Sequence, residues 1–197
     1  MSVETAVAGS SEFPLRYEVE YPEQLSRLLI FVKWLLAIPH LLILYALGTV
    51  VQIIWVIAFF AVLFTEKYPR SLFDFVVNVY RWQANVYAYI GLMRDEYPPF
   101  SWEPDQYPVT FSVDYPSEMN RWLPLVKWLL ALPHYLVLVA LGIAALVVWI
   151  AAWFAILFTG QFPRGMFDFI IGTLRWNARV TAYVFFMRDE YPPFSLK

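Results

Sequence analysis

A single offset of 94 residues lays the second half of this 197-residue chain over the first without a gap. Lys33-Trp34-Leu35-Leu36-Ala37 returns as Lys127-Trp128-Leu129-Leu130-Ala131, and Pro39-His40 as Pro133-His134. Phe73-Asp74-Phe75 returns as Phe167-Asp168-Phe169, and Arg81-Trp82 as Arg175-Trp176. The run from Arg94 to Ser101 recurs unbroken from Arg188 to Ser195, and about half of all aligned positions are identical. Chance does not produce such agreement, so both copies are expected to take one fold. The boundaries follow: a flexible N-terminus at 1–12, a first unit at 13–101, a linker at 102–106 and a second unit at 107–197.

Each unit reads in four parts. The first alternates: Leu15, Tyr17, Val19 and Tyr21 point one way, Arg16, Glu18 and Glu20 the other, and Val109, Phe111, Val113 and Tyr115 repeat the pattern. Period two closed by Tyr-Pro predicts a half-buried strand. Next comes a helix near Glu23–Ile38, repeated near Ser117–Leu132, that sits at the membrane interface. Then Pro39 to Thr65, and Pro133 to Thr159, run without a single charge. At 1.5 Å per residue each is long enough to cross a ~30 Å hydrocarbon core. The fourth part, Ser71–Met93 and Gly165–Met187, carries a polar stripe at helical spacing: Asp74, Asn78, Arg81 and Asn85 in one copy, Asp168, Arg175 and Arg179 in the other.

Lipid is the solvent such a chain calls for. Hydrophobic residues make up 60% and charged residues 15%, whereas soluble domains carry about 25% charged residues. A small soluble fold cannot hide that much apolar surface. The fold class is therefore an all-α integral membrane protein of two tandem repeats. Because both units end in the same polar run, each is expected to cross an even number of times, about four crossings in all, with a pseudo-twofold axis along the membrane normal. The alternative folds Leu28 to Thr65 into a hairpin and leaves the striped helix on the surface. With four crossings, Arg16, Arg27, Lys33, Arg94, Arg121, Lys127, Arg188 and Lys197 share a side, against Lys67, Arg70 and Arg164. That bias predicts a multi-pass protein of the bacterial cytoplasmic membrane with both termini cytoplasmic.

The Pro-His pair, the Phe-Thr and Tyr/Phe-Pro-Arg corner, the Arg-Trp pair and the closing Tyr-Pro-Pro-Phe-Ser resemble a family of bacterial membrane proteins carrying domain of unknown function 4389, often duplicated. The likeness covers nearly all of the chain beyond the first dozen residues. It implies a kind of protein and no particular activity. Asn85 stands where the second copy has Arg179, so a role needing both arginines would fail in the first copy.

Four constellations are candidate sites. Asp74, Arg81, Asp168, Arg175 and Arg179 would contact lipid headgroups or a partner, or lock helices together, since ionisable groups inside a bilayer are costly. Arg70 and Arg164, each after Pro at a helix start, would anchor at phosphate level or bind lipid. His40 and His134 would ligate a haem or chlorophyll-type pigment, or merely cap a helix near the headgroups. Tyr97 and Phe100, with Tyr191 and Phe194, flank Pro-Pro pairs that read as an extended arm for a partner or as a helix stop. With no Cys, no phosphate loop and no nucleophile elbow, no enzyme is expected, and no metal or cofactor. Net charge of −2 speaks against nucleic acid. The leading expectation is a scaffold or accessory subunit whose partners are the lipid bilayer and other membrane subunits. A small transporter or lipid-handling module and a pigment binder are the alternatives.

Overall fold

The computed structural model describes residues 13–197, so the segment 1–12, read above as a flexible N-terminus, lies outside the described residues. The described chain is mainly helical. Strand β1 (Leu15–Val19) leads to a short 3-10 turn at Leu29–Phe31, then helices α1 (Lys33–Leu36), α2 (Ile38–Thr65) and α3 (Arg70–Ile90). The second copy repeats the order with β2 (Val109–Val113), α4 (Leu123–Leu130), α5 (Leu132–Thr159) and α6 (Arg164–Val184).

Pro39 and Pro133 stand in the first turns of α2 and α5, where a missing N–H removes nothing. Both helices end on a left-handed residue that stops further winding. At α5 it is Gly160, with φ 74°. At α2 it is Glu66, with φ 59°, and its carboxylate is held by Arg121 at 2.6 Å. The helices predicted over Glu23–Ile38 and Ser117–Leu132 are shorter than expected. Their leading backbone amides are taken elsewhere: Leu25 N–H donates to the Gly160 carbonyl at 2.8 Å, and Ser26 N–H to the Asp95 carboxylate. Asn120 N–H donates to Asp189 in the same way.

The two strands pair with each other, antiparallel, with Tyr17 opposite Phe111. Those two residues are equivalents in the repeat, so the local twofold axis runs between them and perpendicular to the strands. Each strand then packs on the other copy's helix. Phe73 of α3 meets Tyr115 edge-on at 5.1 Å, and Tyr80 meets Phe111 at 6.2 Å. Helix α3 thus runs back along β2, and by symmetry α6 runs along β1. Tyr21 of the first copy donates its hydroxyl to the Phe162 carbonyl of the second, and Tyr115 to that of Tyr68. The units are joined at their strands, each strand pairing with its equivalent and packing on the other copy's helix.

The order of layers is ribbon, then α3 and α6, then α2 and α5. Leu15, Tyr17, Phe111 and Val113 close the core from one side. Helix α2 buries one stripe along its length, Leu44, Val51, Ile54, Ala58 and Val62, and leaves its other faces open. Because the axis is perpendicular to the strands that α3 and α6 follow, those two helices are antiparallel across it. Among the described residues two helical segments are long and apolar enough to cross a membrane, Ile38–Thr65 and Leu123–Thr159.

Gly172 gives this packing a direct test. A Cβ there would meet the Leu196 carbonyl oxygen at 2.7 Å, whereas one on Gly48 of α2 would meet nothing within 4 Å. Gly172→Ala should lower stability by about 1–3 kcal/mol through overpacking. Gly48→Ala should be neutral or stabilise by up to about 1 kcal/mol. Thermal melts in one mild detergent compare the two; equal shifts would contradict the packing of the C-terminal tail on α6.

Candidate functional site

The polar stripe divides into two unrelated groups. Asp74 does not approach either striped arginine. It lies on the surface in an i,i+4 pair with Arg70 at 2.9 Å, as Asp168 does with Arg164 at 3.1 Å. Exposed pairs of this kind contribute under about 1 kcal/mol. Each of these arginines also covers a tyrosine of the other copy, Arg70 over Tyr115 at 4.7 Å and Arg164 over Tyr21 at 4.6 Å.

Arg81 and Arg175 reach the ribbon. Arg81 Nε donates to the Phe111 carbonyl at 3.1 Å, and its Nη1 to Asn78 at 2.7 Å and the Trp102 carbonyl at 2.9 Å. Arg175 Nε donates to the Tyr17 carbonyl at 3.0 Å and its Nη1 to the Leu196 carbonyl. These arginines therefore fasten the opposite copy's strand. Arg179 donates to the Ser195 carbonyl at 3.3 Å and lies over the Phe13 ring.

His40 and His134 are fully buried in matching aromatic boxes. Trp82 donates its indole N–H to His40 Nδ1 at 3.1 Å, and Trp176 to His134 Nδ1 at 3.0 Å. Phe100 stacks on His40 at 4.0 Å and Phe194 on His134 at 4.1 Å. Indole is a donor only, so Nδ1 must accept and the ring proton sits on Nε2. An iron or magnesium ligand needs one bare ring nitrogen facing the metal, whereas here Nδ1 is taken by the indole and Nε2 carries the proton. Nε2 meets no partner in hydrogen-bond geometry, with the Pro98 carbonyl near that of His40. The donor set in these boxes does not fit axial ligation.

The same boxes account for the Tyr-Pro-Pro-Phe arms. Tyr97 donates its hydroxyl to the Leu36 carbonyl at 3.1 Å, and Tyr191 to that of Leu130 at 3.2 Å. With Phe100 and Phe194 stacked on the histidines, each arm folds back between α1 or α4 and the striped helix. It clamps its own unit.

The most buried charges were not among the candidates. Lys33 Nζ donates to the Arg94 carbonyl at 2.8 Å and pairs with Asp95 at 2.7 Å. Lys127 repeats this with the Arg188 carbonyl and Asp189, and the two lysine side chains are 1% and 0% exposed. Burial pulls the Lys33 ammonium below its ordinary pKa, while the Asp95 hydrogen bond and the charges of Asp95 and Glu96 oppose it. Partial burial raises the Glu96 carboxyl, but the Arg94 hydrogen bonds and charge with backbone amides outweigh it and leave it low; Glu190 behaves likewise beside Arg188. The sequence signal was present: one lysine in an apolar stretch, at the same place in both copies. Among the described residues no group of three or more His, Cys, Asp or Glu is placed to hold a metal.

Removing one member of a desolvated pair leaves the other charge uncompensated, at about 3–5 kcal/mol. Asp189→Ala should therefore destabilise strongly, and Lys127→Met with Asp189→Leu should recover most of the loss. Asp168→Ala should change the detergent melt hardly at all. If Asp168→Ala and Asp189→Ala shift it equally, the buried pair is not structural.

No curated protein and no solved structure matches this chain. Residues 27–101 and 122–195 each match the family described as Domain of unknown function (DUF4389). These segments hold α1–α3 with the first arm and α4–α6 with the second, and leave both strands outside. Since they span about three quarters of its length, the chain belongs to the DUF4389 family, as a tandem pair of such domains.

Proposed function

We propose that this protein is a non-enzymatic scaffold or accessory subunit of the bacterial cytoplasmic membrane, packed through its apolar helices against other membrane subunits, with the ribbon and both termini facing the cytoplasm. One observation carries this reading: polar chemistry is committed inward while apolar surface is left outside. Arg81, Arg175, Lys33, Lys127, His40 and His134 all hold parts of the chain to one another. Meanwhile only 22% of the most apolar stretch of α2 and 6% of that in the second candidate span are buried. Apolar surface on that scale marks a membrane or protein contact, not a face for water. Trp34 and Trp128, each 61% exposed beside the apolar helices, suit the headgroup zone. Four crossings would place α3 and α6 in hydrocarbon. Their engagement with the ribbon supports the interfacial alternative for both.

Lipid-headgroup handling is a second reading, supported by a groove of about 890 Å³ where Arg16, Arg175, Arg179, Arg188 and Lys197 outnumber Glu18 and Glu190. Flotation with anionic against neutral vesicles separates it from the first. Arg16→Gln with Lys197→Gln should reduce any preference for anionic lipid severalfold, and no preference at all would retire the headgroup reading.

For the scaffold itself, the tagged full chain is extracted in mild detergent and purified. A stoichiometric integral-membrane partner is expected. Leu42→Glu and Leu136→Glu, at positions 67% and 76% exposed, should release it without lowering the melt of the purified chain. A chain that elutes alone from every mild detergent would count against a subunit role.

A further inference from the structure

We infer that α2 and α5 lie in the plane of the membrane within a single leaflet, so that the described chain enters the bilayer from one face and crosses it nowhere. The inference rests on the membrane residence proposed for this protein and concerns how it is seated there.

Both ends of α2 are fastened to the same ribbon. At its start, Lys33 holds the Arg94 carbonyl, and Arg94 donates to the carbonyl of Glu20, the residue after β1. At its end, Tyr68 accepts from Tyr115, two residues past β2. Glu20 and Tyr115 stand at opposite ends of the ribbon, given the pairing of Leu15 with Val113 and Val19 with Val109. The ends of α5 are tied by the equivalent pairs: Lys127 to the Arg188 carbonyl, Arg188 to that of Asp114, and Tyr21 to that of Phe162.

The copies also meet end to end. Arg121, ahead of α5, pairs with Glu66 at the end of α2, and Leu25, ahead of α1, pairs with Gly160 at the end of α5. If α2 crossed the bilayer, Glu66 and Leu25 would lie on opposite faces, and α5 would have to cross in the reverse direction between the same two points. The ribbon would then run through the membrane alongside them.

The ribbon cannot do so. Its outer face carries Arg16, Glu18, Thr110 and Ser112, and Arg16 and Glu18 flank the twofold axis, which would be the bilayer midplane. Ionisable side chains and open strand edges are excluded from lipid-facing hydrocarbon. At about 17 Å for five residues it is also too short to bridge a ~30 Å core. Turning the twofold axis onto the membrane normal removes every conflict. The ribbon then faces water, the amphipathic α3 and α6 occupy the interface, and α2 and α5 lie beneath them with their open apolar faces in acyl chains.

The chain contains no cysteine, so single reporters are clean. Gln24→Cys, Lys67→Cys, Glu118→Cys and Gln161→Cys sit at exposed positions on the two sides of α2 and of α5. Each is treated with a membrane-impermeant maleimide in right-side-out and inside-out vesicles. All four should label from the same face, at least tenfold faster than from the other. Labelling of Gln24→Cys and Lys67→Cys from opposite faces, in a chain retained by washed membranes, would overturn the in-plane seating and leave membrane residence standing. A chain absent from washed membranes would overturn both.

Discussion

An isolated two-stranded ribbon is marginal in water, because its strands lose more conformational freedom than one ladder of hydrogen bonds returns. Here the ribbon persists because it is held from outside by helices of both copies. Arg81 and Arg175 place charged donors on the Phe111 and Tyr17 carbonyls at the twofold axis. Tyr17 and Phe111 drop from the same residues into the core, 5.9 Å apart and edge-on. Each strand thus belongs in sequence to one copy and in packing to the other, and the two domains cannot part without exposing both.

From that crossed attachment the rest is positioned. Once β2 lies on α3, the tail after α3 is threaded outward past α1, where Asp95 meets the buried Lys33 and Phe100 reaches His40. The histidine is best understood as a shaped aromatic acceptor for the Trp82 indole, since a buried indole N–H needs a partner and the neutral imidazole supplies one inside an apolar box. The lysine amine is buried between two oxygen partners. Both groups tie separate parts of the chain to one another.

Much was legible beforehand. Period-two alternation located both strands, the uncharged runs located α2 and α5, and the Pro residues marked where two kinds of helix begin. The striped helices were placed within a few residues of α3 and α6. What misled was the stripe itself: Asp74 and Arg81 share a helical face, yet one pairs with Arg70 in the open and the other with a strand carbonyl. Helical spacing states which side chains share a face and is silent about what that face meets. The segments before α1 and α4 misled differently: the Leu25, Ser26 and Asn120 amides dock on Gly160, Asp95 and Asp189, acceptors far away in sequence, and regular helix begins only at Lys33 and Leu123.

By itself the sequence determined that two equal units would form, where most of the helices and both strands would lie, and that one helix in each copy would be long and apolar enough to cross a membrane. Those follow from local periodicity and composition, which each copy carries whole. Only the tertiary structure decided that each strand would pack on the other copy's helix, that the axis would stand perpendicular to the strands, and that both ends of each apolar helix would return to one ribbon. The reason lies in the duplication. When two copies present the same surfaces, every contact within a copy has an equivalent between copies with nearly the same side chains, so local pattern cannot choose between them. The choice falls to the lengths of the connections and to packing summed over the whole chain.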